Sequence, residues 1–294
     1  MKFKHIHFIV NPASGKQEPI LSYINQAMAA SNTNWDITVT KKDVSADKVA
    51  RELIGKTDLV AVYGGDGCVT AVASALHATQ TPMAVIPGGT ANVMAKELGI
   101  PLDTVEALEL LAKNDSRIMN VDMGLVNGTP FLLRVNLGIM ATMITNADRE
   151  IKESLGQLAY GVTAIRSVAN AKSVNYHLVI DGKEIVADGV SLTVTNSGNI
   201  GIGDFALQPG ISITDGKLDV VLMKENSFIS LLKIAGSTLL QQETEALRHW
   251  KVDSVVISMD EEQVFICDDT EMTARKLDIK VVPGSIKILV PAQV

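Results

Sequence analysis

Cysteine, basic charge and long apolar runs are all scarce in this chain. Its 294 residues hold two cysteines, Cys68 and Cys267, which provide neither a disulfide framework nor metal-ligand spacing and fit a reducing, cytoplasmic setting. The formal net charge is −7, which argues against nucleic acid as a partner. The most apolar late stretch, residues 228–240, is interrupted by Lys233 and is too short and too polar to cross a bilayer. A strand-like run starts a few residues after Met1, so no secretory leader is expected. There is no low-complexity tract and no internal repeat. What remains is a globular composition, 47% hydrophobic and 20% charged, long enough for two domains. The mean hydropathy of +0.21 fits a well-filled core, or a surface that handles an apolar substrate.

The first half alternates strand and helix patterns around residues 60–69. Val60-Ala61-Val62-Tyr63 reads as a buried strand that stops at Gly64-Gly65-Asp66-Gly67, with a helix expected from Thr70 to Leu76. Glycines let backbone N–H groups approach an oxyanion, and a helix start adds favourable partial charge. Asp66 would repel bare phosphate, so it implies a divalent metal, a ribose hydroxyl or an ordering hydrogen bond. The same residues also fit a plain tight turn.

Residues 3–10 read as an inner strand, followed by the turn Asn11-Pro12-Ala13-Ser14-Gly15-Lys16. Pro19 then opens a helix with Ile20, Leu21, Ile24 and Met28 along one face. Residues 36–40 form a short strand, and Ser45 caps a helix ending at Gly55. Residues 83–86 form a further strand ending in Pro87-Gly88-Gly89-Thr90-Ala91-Asn92, with Thr90 a candidate N-cap for the helix that stops at Gly99. Asp103 begins another helix, to about Ala112. This order predicts an α/β domain with a doubly wound parallel sheet. All three glycine-bearing turns follow strand C-termini, the edge where such sheets bind ligands.

Near Val121-Asp122 the pattern changes to hairpin signals, Asn127-Gly128 and Asp181-Gly182, among short apolar runs such as 176–180, 190–195, 218–223, 255–258, 264–267 and 279–282. The expectation is an antiparallel β-sandwich with helical insertions around 144–170 and 227–247. Residues 1–123 are assigned to the α/β domain and 124–294 to the sandwich, with the last residues packing back on the first domain.

Lys16 after Gly15 invites a P-loop reading, but no glycine stands five residues before Gly15, and Gln17 replaces the expected Ser or Thr. Gly67 is followed by Cys68-Val69-Thr70, so Gly-x-Gly-x-x-Gly is absent too. Phosphate would have to be held by Asn11, Ser14 and Lys16, the last as a point charge, and by Gly88-Gly89 with the Thr90 hydroxyl and Asn92 amide. A polar surface turn explains residues 11–16 equally well. His5 and His7 read as packed strand residues, and His77 and His249 have no partner at metal-ligand spacing. Cys68 is either a small buried residue or a reactive thiol at a helix start. Residues 148–153 read as a solvated helix face.

Asn11-Pro-x-Ser-Gly15, Gly64-Gly-Asp-Gly67 and Pro87-x-Gly-Thr-x-Asn92, in that order, resemble the diacylglycerol kinase catalytic family, most closely its bacterial soluble lipid kinases. The resemblance implies an α/β domain and a β-sandwich domain enclosing ATP, with Thr40, Gly64, Gly65, Asp66, Gly67 and Thr90 as nucleotide contacts. The stretch 209–219 resembles the family's Mg2+ loop, implying Asp215 and backbone oxygens near Ser212 and Lys217 as ligands, unless Asp215-Gly216 is a type I′ hairpin turn. The family's catalytic Asp-Gly-Glu is matched by Asp268-Asp269-Thr270-Glu271; keeping the glutamate in register makes Asp269 the base, beside Glu271. Cys68 replaces the family's usual threonine, Thr70-Ala71 its Asn-Glu, and Thr270 the middle glycine of its catalytic motif.

The implied activity is transfer of the γ-phosphate of ATP, with Mg2+, to a hydroxyl of a diacylglycerol-like lipid. The lipid would be met transiently at the inner face of a membrane, and a homodimer is a further expected partner. Two other readings stay open, an NAD-kinase-like enzyme and a nucleotide- or lipid-binding protein without turnover.

Overall fold

The computed structural model describes residues 3–29, 31, 33–112, 115–139, 141, 173–199, 210–224 and 247–292. The helical insertions expected around 144–170 and 227–247 and the helix face at 148–153 lie outside these residues, apart from the end of the second at position 247. By its internal contacts the chain forms two units. The first takes in residues 1–123, 197–216 and 282–294, and the second residues 124–196 and 217–281. The second half therefore returns residues 197–216, as well as its last residues, to the first unit.

The first unit is built on parallel strands β1 (His5–Val10), β2 (Asn34–Val39), β3 (Leu59–Gly64) and β4 (Met83–Pro87). The order is β4-β3-β1-β2, and Ile288 and Leu289 of the long strand β14 (Thr270–Pro291) add in parallel beside β4. β3 and β4 are buried along their whole length, as strands covered on both faces must be. The helices are α1 (Ile20–Ala29), α2 (Ala46–Leu53), α3 (Asp66–Leu76), α4 (Val93–Glu97) and α5 (Thr104–Ala112). The β1-to-β2 connection runs in the opposite direction from β2-to-β3 and β3-to-β4. Right-handed crossovers therefore put α1 on one face and α2 and α3 on the other. The packing agrees, α1 against α5 and α2 against α3. In α1 only Ile24 and Met28 are buried; Leu21, expected on the same face, is 56% exposed.

The second unit is antiparallel. One layer runs β12 (Leu247–Val252), β11 (Leu218–Met223), β10 (Ser191–Thr195), β7 (Arg134–Gly138), β13 (Ser254–Cys267) and the first part of β14. The other adds β8 (Val174–Ile180) and β9 (Lys183–Gly189) to the start of β13. Runs 255–258 and 264–267 are not two strands. β13 passes through both and shifts register against β14 between Ser258 and Gln263, which lets one strand serve two layers. The hairpins expected at Asn127-Gly128 and Asp181-Gly182 are present, with positive φ at both residues of each pair, the type I′ requirement. The first joins β5 (Ser116–Val126) to β6 (Thr129–Phe131).

Leu137, Leu192, Val194, Val220 and Leu222 from one layer meet Tyr176, Leu178 and Ile257 from the other in a single core. Tyr176 has no exposed surface and its hydroxyl has no hydrogen-bond partner, and burial raises its phenol pKa. A buried unpaired hydroxyl costs about 1–3 kcal/mol, so Tyr176→Phe is expected to raise unfolding stability by roughly 1 kcal/mol in urea titrations.

Candidate functional site

β1 and β3 are neighbours whose following helices leave toward opposite faces, which makes the space past their C-terminal ends a topological switch point. Three loops meet there: residues 11–18 after β1, Gly65 after β3, and residues 88–92 after β4. Asn11 N–H donates to Tyr63 O (2.9 Å), Gly88 N–H to Gly64 O (2.9 Å) and Lys16 N–H to Gly88 O (3.4 Å). The Asn11 side chain accepts from Ala13 N–H, and the Ser14 hydroxyl donates back to Asn11 O. Asn92 holds its own loop twice, accepting from Gly89 N–H (3.0 Å) and donating to Gly89 O (2.8 Å).

Helix α3 begins at Asp66, four residues before the expected start, so Asp66 and Gly67 form its first turn and Gly65 is the N-cap. No side chain caps this end. None of Gly64, Gly65 and Gly67 has a positive φ, so a tight turn does not explain them. Close approach explains Gly64, and across the gap it explains Gly89. A Cβ on Gly64 would lie 2.7 Å from Cys68 Cβ, and one on Gly89 would lie 2.5 Å from Gly65 Cα. One on Gly88 would press the Tyr63 ring at 3.0 Å. Gly89 thus meets Gly65 backbone to backbone beside an uncapped helix start, a cradle suited to an anion.

Asp66 Oδ1 accepts from Met94 N–H at 3.5 Å, which ties the starts of α3 and α4 together and supplies the ordering hydrogen bond anticipated for it. Thr90 is not an N-cap: Asn92 takes that position for α4, in the left-handed region at φ 48°. Thr90 is exposed, with its hydroxyl 3.7 Å from where a Gly15 Cβ would stand. Thr40 closes the β2 edge, its N–H donating to Val10 O. Lys16 is turned toward α5: its ammonium donates to Leu102 O (2.9 Å) and Thr104 Oγ1 (3.2 Å) and stands 3.8 Å from Glu18. Glu18 also accepts from Thr104 and Tyr63 hydroxyls, so Lys16 braces the loop from behind. Nothing in the sequence pattern marked Glu18.

Asp215 is exposed and lacks the positive φ that a type I′ turn requires, which removes the hairpin alternative for Asp215-Gly216. The loop is ordered by buried Asp122, which accepts from Gly216 N–H and Gly284 N–H, both at 2.7 Å, while its own N–H donates to Ile213 O. Ser212 Oγ is bonded within the loop to Thr214. The donors expected around Ser212, Asp215 and Lys217 are all oxygens, the chemistry that suits Mg2+. Among the described residues no three His, Cys, Asp or Glu side chains are placed to share a metal. His5 pairs with Asp36, His7 with Thr38 and His249 with Asp219, so these rings are held by the sheet.

The acidic hairpin of the second unit draws attention to a different residue from the one expected. Cys267 pairs with Thr270, so Asp268 and Asp269 are its two-residue turn. Asp-Gly is a residue pair such turns favour. If the family's Asp-Gly is this turn, Asp268 takes the aspartate place, Asp269 the glycine's and Thr270 the glutamate's. Asp268 sits at φ 53°, and its carboxylate accepts from the N–H groups of Leu132 (2.9 Å), Leu133 (2.8 Å) and Arg134 (2.9 Å). Burial nevertheless pushes its pKa up to about 6, against those hydrogen bonds. Asp269 and Glu271 are exposed. The sequence offered the adjacent acidic pair; the register that singles out Asp268 comes from the pairing of Cys267 with Thr270.

A switch-point cradle on a parallel sheet, carried with an antiparallel sandwich, defines an α/β protein with a candidate anion site and a β-rich second unit. The diacylglycerol kinase catalytic domain model matches residues 5–126, and the YegS C-terminal NAD kinase beta sandwich-like domain model matches residues 134–290. The chain therefore belongs to the diacylglycerol kinase-like lipid kinase family. A Bacillus subtilis protein described as diacylglycerol kinase is 26% identical over 80% of this chain and 79% of its own length. An uncharacterized Synechocystis protein is 28% identical over 99% of this chain and 71% of its own. A solved Bacillus anthracis structure superposes with a TM-score of 0.87 at 29% identity, covering 100% of this chain and 99% of that one. Among the described residues no helix is long and apolar enough to cross a membrane.

Proposed function

We propose that the protein is an ATP-dependent, Mg2+-requiring lipid kinase whose acceptor is a diacylglycerol-like alcohol met transiently at a membrane surface. The observation that carries the reading is the close approach of Gly65 and Gly89 beside the uncapped start of α3. Gly64, Gly65, Gly67 and Gly89 offer backbone to the phosphates; Asn11, Ser14, Asn92 and Glu18 hold those loops in place, and Thr40 and Thr90 stand at the rim. Bound Mg2+ supplies hard positive charge toward oxygen, and Asp215 with the backbone oxygens at Ser212 and Lys217 would hold an ion.

Asp268 is the preferred base, in place of Asp269. Its carboxylate takes the proton of the acceptor hydroxyl as the oxygen bonds to the γ-phosphorus and the bond to ADP breaks. With a pKa raised to about 6 it is ionised at neutral pH yet basic enough to help.

The direct test incubates the protein with γ-labelled ATP, Mg2+ and a total lipid extract. Label in a glycerolipid is the expected result. Label in NAD but in no lipid would reverse the choice, and tight ATP binding without transfer to any alcohol would leave a binding protein. Co-sedimentation with liposomes in the presence of ATP and Mg2+ checks the transient membrane contact.

A further inference from the structure

One face of the β12-β11-β10-β7-β13 layer is apolar and belongs to the core. By register the other face carries Arg134, Asn136, Ser191, Thr193, Thr195 and Asp219. A polar face of an antiparallel sheet ordinarily goes to water. Here Asn136, Thr195 and Asp219 are 0% exposed and Thr193 is 4% exposed. The hydroxyl protons on this face are used within the protein. Thr193 donates to Asn136 Oδ1 (3.0 Å), Ser191 to Leu137 O and Thr195 to Leu133 O, both at 3.2 Å. Asn136 Nδ2 has no partner. A fully buried donor left unmatched is costly, and what it lacks is an acceptor.

The position of Asn136 suggests what that acceptor belongs to. It pairs with Ile266, two residues before Asp268, and lies two residues along β7 from Arg134, whose N–H holds the Asp268 carboxylate. One two-residue step on a strand spans about 6.6 Å. In a 1,2-diacylglycerol the ester carbonyl oxygen nearest the free hydroxyl stands a few bonds away, a comparable reach.

We propose that Asn136 is an acceptor-recognition residue, donating from Nδ2 to an ester carbonyl of the lipid whose hydroxyl is phosphorylated. The substrate class is then an acyl ester of a glycerol-like alcohol, selected over ether lipids and simple long-chain alcohols. The inference rests on the kinase reading above in taking Asp268 as the group beside that hydroxyl.

The test uses the full chain with ATP, Mg2+ and two detergent-dispersed acceptors of equal chain length, a 1,2-diacylglycerol and its dialkyl ether analogue. The wild type is expected to favour the ester roughly ten-fold in kcat/KM, because the ether leaves the amide unpaired. Asn136→Leu should bring that ratio to about one by raising KM for the ester, with KM for ATP unchanged. Should the leucine variant fail to fold by thermal melt, Asn136→Ala removes the same donor and is read by the same ratio. A wild-type ratio near one or an unchanged ratio in the variants overturns the inference. Phosphorylation of neither lipid overturns the kinase reading itself, whereas phosphorylation of both without preference overturns only the role of Asn136.

Discussion

Asp268→Asn is expected to lower turnover by about 10²- to 10⁴-fold, the usual contribution of a positioned general base, while ATP affinity stays within about two-fold. Asparagine tolerates the left-handed backbone at φ 53° and keeps a carbonyl oxygen for the Leu133 and Arg134 N–H groups, losing only the bond from Leu132 N–H, so the hairpin should survive. Asp269→Asn, at an exposed position, should change turnover by less than about three-fold; the reverse pattern in the two variants would return the role to Asp269. The pH profile of the wild type gives a second readout. Asp268 must be ionised to accept a proton, and its pKa is raised to about 6. Activity should therefore fall below about pH 6, approaching ten-fold per unit, and the acid limb should vanish from the residual rate of Asp268→Asn. Stability runs the other way. A carboxyl whose pKa is raised on folding contributes stability below its ordinary value near 3.8, and that contribution is lost as pH rises through about 6. The folded state therefore gives up some stability to hold this carboxylate ionised at neutral pH.

Gly89→Ala should weaken ATP binding by roughly 10- to 100-fold, the equivalent of the 1–3 kcal/mol that overpacking costs. Its Cβ would lie 2.5 Å from Gly65 Cα and 3.1 Å from Asn92 Oδ1, the atom that accepts the Gly89 N–H. The β3 and β4 loops must then separate, and the neighbouring backbone N–H groups lose their common aim. Gly15→Ala is the matched control. Its Cβ meets Thr90 Oγ1 at 3.7 Å, an ordinary contact, and its φ is not positive, so affinity should hold within about two-fold. Calorimetric titration with a non-hydrolysable ATP analogue reads both variants. Equal losses would mean that glycine serves these loops through flexibility rather than through close approach.

The α/β half was legible because its cues are local. Continuous apolar runs at residues 60–63 and 83–86 are short and bounded by glycine, as strands buried on both faces are, and Gly99 and Asp103 punctuate the helices that follow the second run. The Asn127-Gly128 and Asp181-Gly182 turns were equally readable, since type I′ geometry demands residues that accept positive φ twice in succession. The sequence was silent where a residue's surroundings depend on a distant partner. Spacing could not show that Leu102 and Thr104, far along the chain, hold the Lys16 ammonium. Thr90 looked like a helix cap because the left-handed turn at Asn92 leaves no trace in spacing.

The amino-acid sequence alone determined the parallel α/β order, the three glycine-bearing loops at strand C-termini and the antiparallel character of the second half. Hydrophobic period and turn chemistry act between near neighbours, which is why these features could be read. Only the tertiary structure decided that residues 197–216 return to the first unit, that Gly65 leaves no room for a side chain on Gly89, and that Asp268 rather than Asp269 is the half-buried carboxylate held by three backbone N–H groups. Each of those depends on atoms brought together from separate strands, and burial, which sets both close approach and pKa, is a property of the packed chain.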